Sequence, residues 1–244
     1  MANIQVAVIN ESTVLTDAQL QAVIPALQTQ VSRDFAPVWG IDAELIFVPH
    51  GSQPPAHAWW LIILDNSDLA SALGYHDLTD QGLPLGKVFA GSDIKMGYQW
   101  TVTASHELLE LLADPYTSLA AFIQPDANTG ILYAYEVADA CEADNLGYSI
   151  NGVLVSDFVF PTWFESFRQP GSVQFDFCNH IQKPFQLLPG GYIGVFNLAS
   201  STGWHQLTAE KGQFKYDMRP RLGSRRERRR TSRDQWLRSE VKSR

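Results

Sequence analysis

Between Met96 and Phe167 the chain carries ten carboxylates and neither a Lys nor an Arg. That one-sided charge limits what the region can fold into. Its most regular part is "TVTASHELLELLADP", Thr101–Pro115. Projected at about 100° per residue, His106, Glu110, Thr103, Asp114 and Glu107 share one arc, while Leu111, Ala104, Leu108, Leu112 and Leu109 lie opposite. The spacing predicts an amphipathic helix. Its polar face is unusual, because like charges three and four residues apart repel and a solvated face normally intersperses bases among them. The plain alternative is an ordinary solvated acidic helix. The regional absence of bases favours a bound cation instead, since carboxylates and neutral imidazole are ligands for zinc and related divalent metals. His106 and Glu110, at i and i+4, project side by side from consecutive turns, and Glu107 sits next to them in a different direction. That is the arrangement of two metal ligands with a base alongside.

The rest of the chain supplies a sheet for this helix to pack on. Apolar runs at Ile4–Ile9, Glu44–Val48, Trp59–Leu64 and within "LPLGKVFAG" read as strands, bounded by turn-rich stretches such as "PHGSQPPAH" and "DNSD". Leu20, Val23, Ile24, Leu27 and Val31 recur at helical spacing across Asp17–Phe35, with Pro25 expected to cost or kink a turn. Strand, helix, three strands and helix predict an α+β fold with a mostly continuous sheet. Past Tyr116 the signals shorten, and "SINGVLVSDFVFP" predicts a hairpin about Asn151-Gly152. The resulting division is a lobe over 1–115, a smaller irregular lobe over 116–218, and a basic segment over 219–244.

That last segment hides within the net charge of −8. It holds eleven of the 18 Lys and Arg against three of the 26 acids, so it is +8 and the preceding 218 residues are −16. An Arg run this poor in apolar residues builds no core, which predicts a mobile appendage: a tail that adheres to an anionic partner, or a solubilising tail that folds back on the acidic body. No window approaches the roughly 20 apolar residues of a membrane span. The first residues, "MANIQVAVINES", lack a basic and apolar leader, so a cytoplasmic location is expected, with signal-independent export left open. Cys141 and Cys178 are expected to be free thiols.

The helix resembles the H-E-x-x-H helix of the zincin metallopeptidases, with Glu110 where the second His would be. More broadly, "QVSRDFAPVWGIDAELIFVP", "WWLIILDN", "LGYHD", "SHELLELLADP", "YAYEVADACE" and "FQLLPGGY" resemble a family of uncharacterised bacterial zincin-like proteins over roughly Asn3 to Ala209. The resemblance implies a zincin-like fold: an N-terminal mixed sheet with helices, an active-site helix and an irregular C-terminal lobe. It places Gly86–Ala90 as the edge strand that pairs with substrate. It implies His106 and Glu110 as metal ligands and Glu107 as general base. Carried over from the gluzincins, it makes Glu136 the third ligand and Asp139 the group that orients His106, with Asp139 as the alternative ligand. The carboxylate in place of a His makes the site harder and less selective for zinc, so calcium stands as the alternative cation.

A donor for an oxyanion opposite the metal is sought among Tyr135, Tyr148 and His180, each of which is equally a packing residue. His50, His57, His76 and His205 lack a ligand-spaced partner and are expected to be structural, as are Trp59 and Trp60. The functional expectation is a metal-dependent hydrolase acting on a peptide or protein substrate. Its rivals are a non-enzymatic module of the same fold with a structural cation, and a binder of an anionic partner through the basic tail. The composition of the tail makes one prediction directly. Deleting 219–244 leaves the thermal unfolding midpoint within a degree or two of the full chain, whereas a large drop would mean the tail is docked on the acidic body.

Overall fold

The computed structural model describes residues 4–68, 72–200 and 203–209, so the basic segment 219–244 lies outside the described residues. The chain is an α+β structure, as expected. Strand β1 (Ile4–Asn10) is almost wholly apolar and takes a central place. It pairs in parallel with β2 (Ala43–Val48) on one side and with β3 (Trp59–Leu64) on the other. β5 (Pro84–Phe89) adds in parallel to β3, and β4 (Gly74–Leu78) closes the far edge antiparallel to β5, giving the order β2-β1-β3-β5-β4.

This corrects the expectation that Gly86–Ala90 forms the sheet edge. β5 is interior, and the edge belongs to β4, which the apolar pattern does not reveal. Gly-Tyr-His-Asp-Leu has little intrinsic strand preference, and pairing supplies what propensity lacks: Gly74 faces Val88, His76 faces Gly86 and Leu78 faces Pro84.

Helix α1 (Asp17–Thr29) starts at a capping box in which Gln19 N–H donates to the Thr16 hydroxyl and Thr16 N–H donates to the Gln19 side chain. It runs through Pro25 and continues as a π-helical turn over Gln30–Phe35, then as α2 (Ala36–Trp39), ending at Gly40 with φ 71°. The wider turn buries Gln30, Val31, Asp34 and Phe35 together. α3 (Ala90–Met96) leads into α4 (Trp100–Ala113), the helix read from the sequence.

The later half holds more sheet than its sequence pattern suggests. β6 (Ala120–Asp126), β7 (Thr129–Ala134), β10 (Tyr192–Asn197) and β11 (Trp204–Thr208) form an antiparallel sheet of order β11-β10-β7-β6. The expected hairpin is present as β8 (Tyr148–Ile150) and β9 (Val153–Val155), with Asn151 and Gly152 both at positive φ as a tight primed turn requires. One apolar cluster runs from Val8, Leu27 and Ile63 through Leu108 and Leu111 to Phe158, Trp163 and Val195. The core is therefore continuous across position 115. Among the described residues no helix is long and apolar enough to cross a membrane.

Asp93 on α3 is fully buried. Desolvation pushes its carboxyl up to about 7, with the charge of Asp144 adding and a hydrogen bond to Thr103 opposing. Because the folded state holds this proton more tightly than the unfolded chain, stability falls as pH rises from about 4 to about 7. Asp93→Asn removes that loss. It is expected to raise the unfolding free energy at pH 8 by roughly 2–4 kcal/mol at most, and to leave it nearly unchanged at pH 4. Equal shifts at both pH values would refute the assignment.

Candidate metal centre

Helix α4 has no solvated face. Its leucines pack on the sheet, and His106, Glu107 and Glu110 are 7%, 5% and 3% exposed. The polar side is roofed by β4 and by the segment from Glu136 to Cys141, so the solvated-helix alternative does not hold. Ser105 anchors the helix from within, donating to Gln30 (2.6 Å) and accepting from Ser156 N–H (3.0 Å), while Gln30 donates to the Ser156 carbonyl (2.8 Å). The π-helical turn is what brings Gln30 to that position.

Glu110 is the centre of the polar cluster. Its Oε1 lies 3.3 Å from His106 Nε2 and accepts from Ala138 N–H at 3.2 Å; its Oε2 lies 3.6 Å from His76 Nδ1. His106 Nε2 is also 3.2 Å from Asp139 Oδ1. His76, fully buried on β4, has Nδ1 3.7 Å from Glu107 and Nε2 3.5 Å from Glu136. Two ligand-like triads thus share Glu110: His106, Glu110 and Asp139, and His76, Glu110 and Glu136, each with ligand atoms within 4.8 Å of one another.

Glu136 and Asp139, the two third-ligand candidates, therefore separate. Asp139 joins the helix pair His106 and Glu110, whereas Glu136 faces His76. His76, expected to be merely structural, stands in the middle of the site. Its signal was hidden because its partners lie 31 to 60 residues away in sequence and come together only through the β4 pairing.

The three proposed oxyanion donors lie elsewhere. Tyr135 packs its ring against Trp39 and Phe164. Tyr148 donates to Asp34 (2.9 Å) and packs against the Phe177 ring at a tilt. His180 is near Asp157 and Asp176. The tyrosine at the site is Tyr192, whose side chain hydrogen-bonds Asp139. The readable hint is Gly190-Gly191 before it: a Cβ on Gly191 would sit 2.3 Å from the Ala140 carbonyl oxygen, so only glycine lets β10 start so close to Asp139. Asp114 plays the turn role expected of it, accepting from Ser118 and Leu119 N–H. Cys141 and Cys178 are free thiols.

Burial alone would lower the His106 pKa, but the charges of Glu110 and Glu107 and its hydrogen bonds to Asp139 and Glu110 raise it well above the ordinary imidazole value. Burial works against the Glu110 carboxylate too, yet His106, His76 and Ala138 N–H hold its pKa down. Burial and the neighbouring Glu110 push Asp139 up. At the margin, desolvation raises Glu142 to about 8. Four buried carboxylates thus meet two buried imidazoles, a donor set that could bind a divalent cation.

Comparison with known proteins gave no match: no family model, curated protein or solved structure is similar to this chain.

Glu107 is held against the edge strand by a glycine. A Cβ on Gly74 would lie 2.6 Å from both Cγ and Oε1 of Glu107. Gly74→Ala is therefore expected to displace Glu107 and cost about 1–3 kcal/mol in a urea unfolding experiment. An unchanged midpoint would mean that Glu107 moves aside freely.

Proposed function

We propose that the chain is a metal-dependent hydrolase of zincin-like fold acting on peptide or protein substrates, with the cation held by His106, Glu110 and Asp139. The observation that carries this reading is the convergence of those three side chains within 4.8 Å, two of them from consecutive turns of one buried helix. The donor set fits a cation: one imidazole and two carboxylates, in a cluster where carboxylates outnumber imidazoles. The imidazole favours zinc over calcium, which takes oxygen ligands. A cation bound there supplies acidified water and a polarised carbonyl.

Glu107 is the general base in this reading. It follows His106 in sequence, is turned toward β4 and lies 3.7 Å from His76, so its carboxylate is oriented separately from the ligands. It accepts the proton of the attacking water and returns it to the leaving amine. Tyr192, bonded to Asp139, and Ala138 N–H, bonded to Glu110, fix the two carboxylate ligands. The terminal strand β4 is the place for an extended peptide to add to the sheet, alongside the cluster.

The burial of the donors supports a second reading, a non-enzymatic module with a structural cation: His106, Glu110 and Asp139 are 7%, 3% and 5% exposed. One set of variants separates the two. His106→Ala, Glu110→Ala and Asp139→Ala are each expected to hold about one zinc fewer than the parent by elemental analysis. Glu107→Gln should keep it while hydrolysis of a broad peptide pool falls by about 10²–10⁴-fold. Metal content unchanged in all three Ala variants overturns the ligand assignment, and calcium without peptide hydrolysis supports the module.

A further inference from the structure

We propose that Asp157, Cys178 and His180 form a second cation site, selective for zinc, that pins together the two irregular segments on which they lie. No residue is shared with the first cluster, and the proposal does not rest on the function given above.

The backbone builds the site. Phe160 N–H donates to the Phe175 carbonyl (2.8 Å) and Phe177 N–H to the Phe158 carbonyl (2.9 Å), so 157–160 and 175–178 run side by side. Asp157 Oδ1 accepts from Phe158 N–H (2.8 Å) and Cys178 N–H (3.1 Å), which fixes the carboxylate plane. Asp176 accepts from His180 and Ile181 N–H, both at 2.8 Å, and Asn179 turns the chain at φ 60°. Cys178 and His180 are thereby brought back beside Asp157.

With Oδ1 occupied by backbone donors, Asp157 Oδ2 is the oxygen available to a cation. It is buried and lies 3.5 Å from His180 Nδ1; the Asp157 carboxyl also hydrogen-bonds the Asp176 carboxyl and the Cys178 side chain, contacts whose protons a bound cation would replace. Two ligands of one tetrahedral zinc, with bonds of about 2.0–2.3 Å, stand about 3.3–3.8 Å apart. The Asp157–His180 separation falls in that interval, and all three ligand atoms lie within 4.8 Å of one another, so closing on an ion needs only a small movement of Cys178. Asp157 is fully buried and the His180 side chain is 41% exposed, so an ion has a path from solvent. Sulfur and imidazole select zinc, whereas magnesium and calcium take oxygen. Asp176, 3.9 Å from His180 Nδ1, adds negative charge behind the site.

Sulfur also makes the site separable by experiment, because the first cluster has none. In the full-length protein reconstituted with cobalt(II), a thiolate-to-metal charge-transfer absorption is expected. It should persist in His106→Ala and Cys141→Ser, disappear in Cys178→Ser, and weaken in His180→Ala. Elemental analysis should show Cys178→Ser holding about one zinc fewer than the parent. On the parent chain, which needs no variant to fold, zinc should slow alkylation of Cys178 by about tenfold or more, and magnesium should not. Absence of the absorption from the parent, its survival in Cys178→Ser, or alkylation indifferent to zinc would each overturn the proposal.

Discussion

Glu110 is the interaction on which the rest of the site depends. One carboxylate oxygen faces His106 on its own helix, the other faces His76 on the edge strand, and Ala138 N–H reaches it from the segment beyond β7. A single buried charge therefore ties three pieces of chain together. An uncompensated carboxylate in such a place costs several kcal/mol, and losing one partner of a buried ionic set is about as costly. The arrangement is stable only if all three pieces are in place. That explains why a weak strand such as β4 holds its register, with His76 opposite Gly86.

The sheet strands β1, β2, β3 and β5, helix α4 and the Asn151-Gly152 hairpin were legible because each carries a local signal: an apolar run, a helical arc, or a turn dipeptide. β4 was not legible, because its stability comes from pairing and from the His76 contacts, both non-local. Tyr192 escaped for the same reason, being brought to Asp139 by a glycine turn rather than by spacing. The helix half of the site, His106, Glu107 and Glu110, follows from a period of 3.6, whereas the choice between Glu136 and Asp139 does not. The two are three residues apart in a segment without regular structure until the short turn Asp139–Cys141, so periodicity says nothing about where each points.

The charge argument needs a physical amendment. The stretch 96–167 lacks Lys and Arg, which favours a bound cation to offset its acids. Part of the compensation comes from outside the stretch, in His76, and part from within it, in His106, whose pKa its carboxylate neighbours raise. Histidine does not appear in a count of fixed charges, yet its protonation follows its surroundings. The same four carboxylates can thus be served by the two imidazoles, His106 among them carrying a proton, or by a metal. Metal binding here must displace protons, which couples occupancy to pH.

Other acids of the region have a different task. Asp114 accepts the N–H groups of Ser118 and Leu119 after α4, and Asp157 those of Phe158 and Cys178. Asp176, just beyond the stretch, does the same for His180 and Ile181. All three are fully buried in the irregular second half, where long connections leave backbone donors without ladder partners. A carboxylate satisfies two such donors at once, which an amide or hydroxyl oxygen does less strongly. The acidic excess therefore has two separate origins, a polar cluster under the edge strand and a set of loop-building aspartates. In Asp157 the backbone donors occupy one oxygen, so a residue placed to organise a turn also turns its other oxygen toward His180 and the side chains of Cys178 and Asp176.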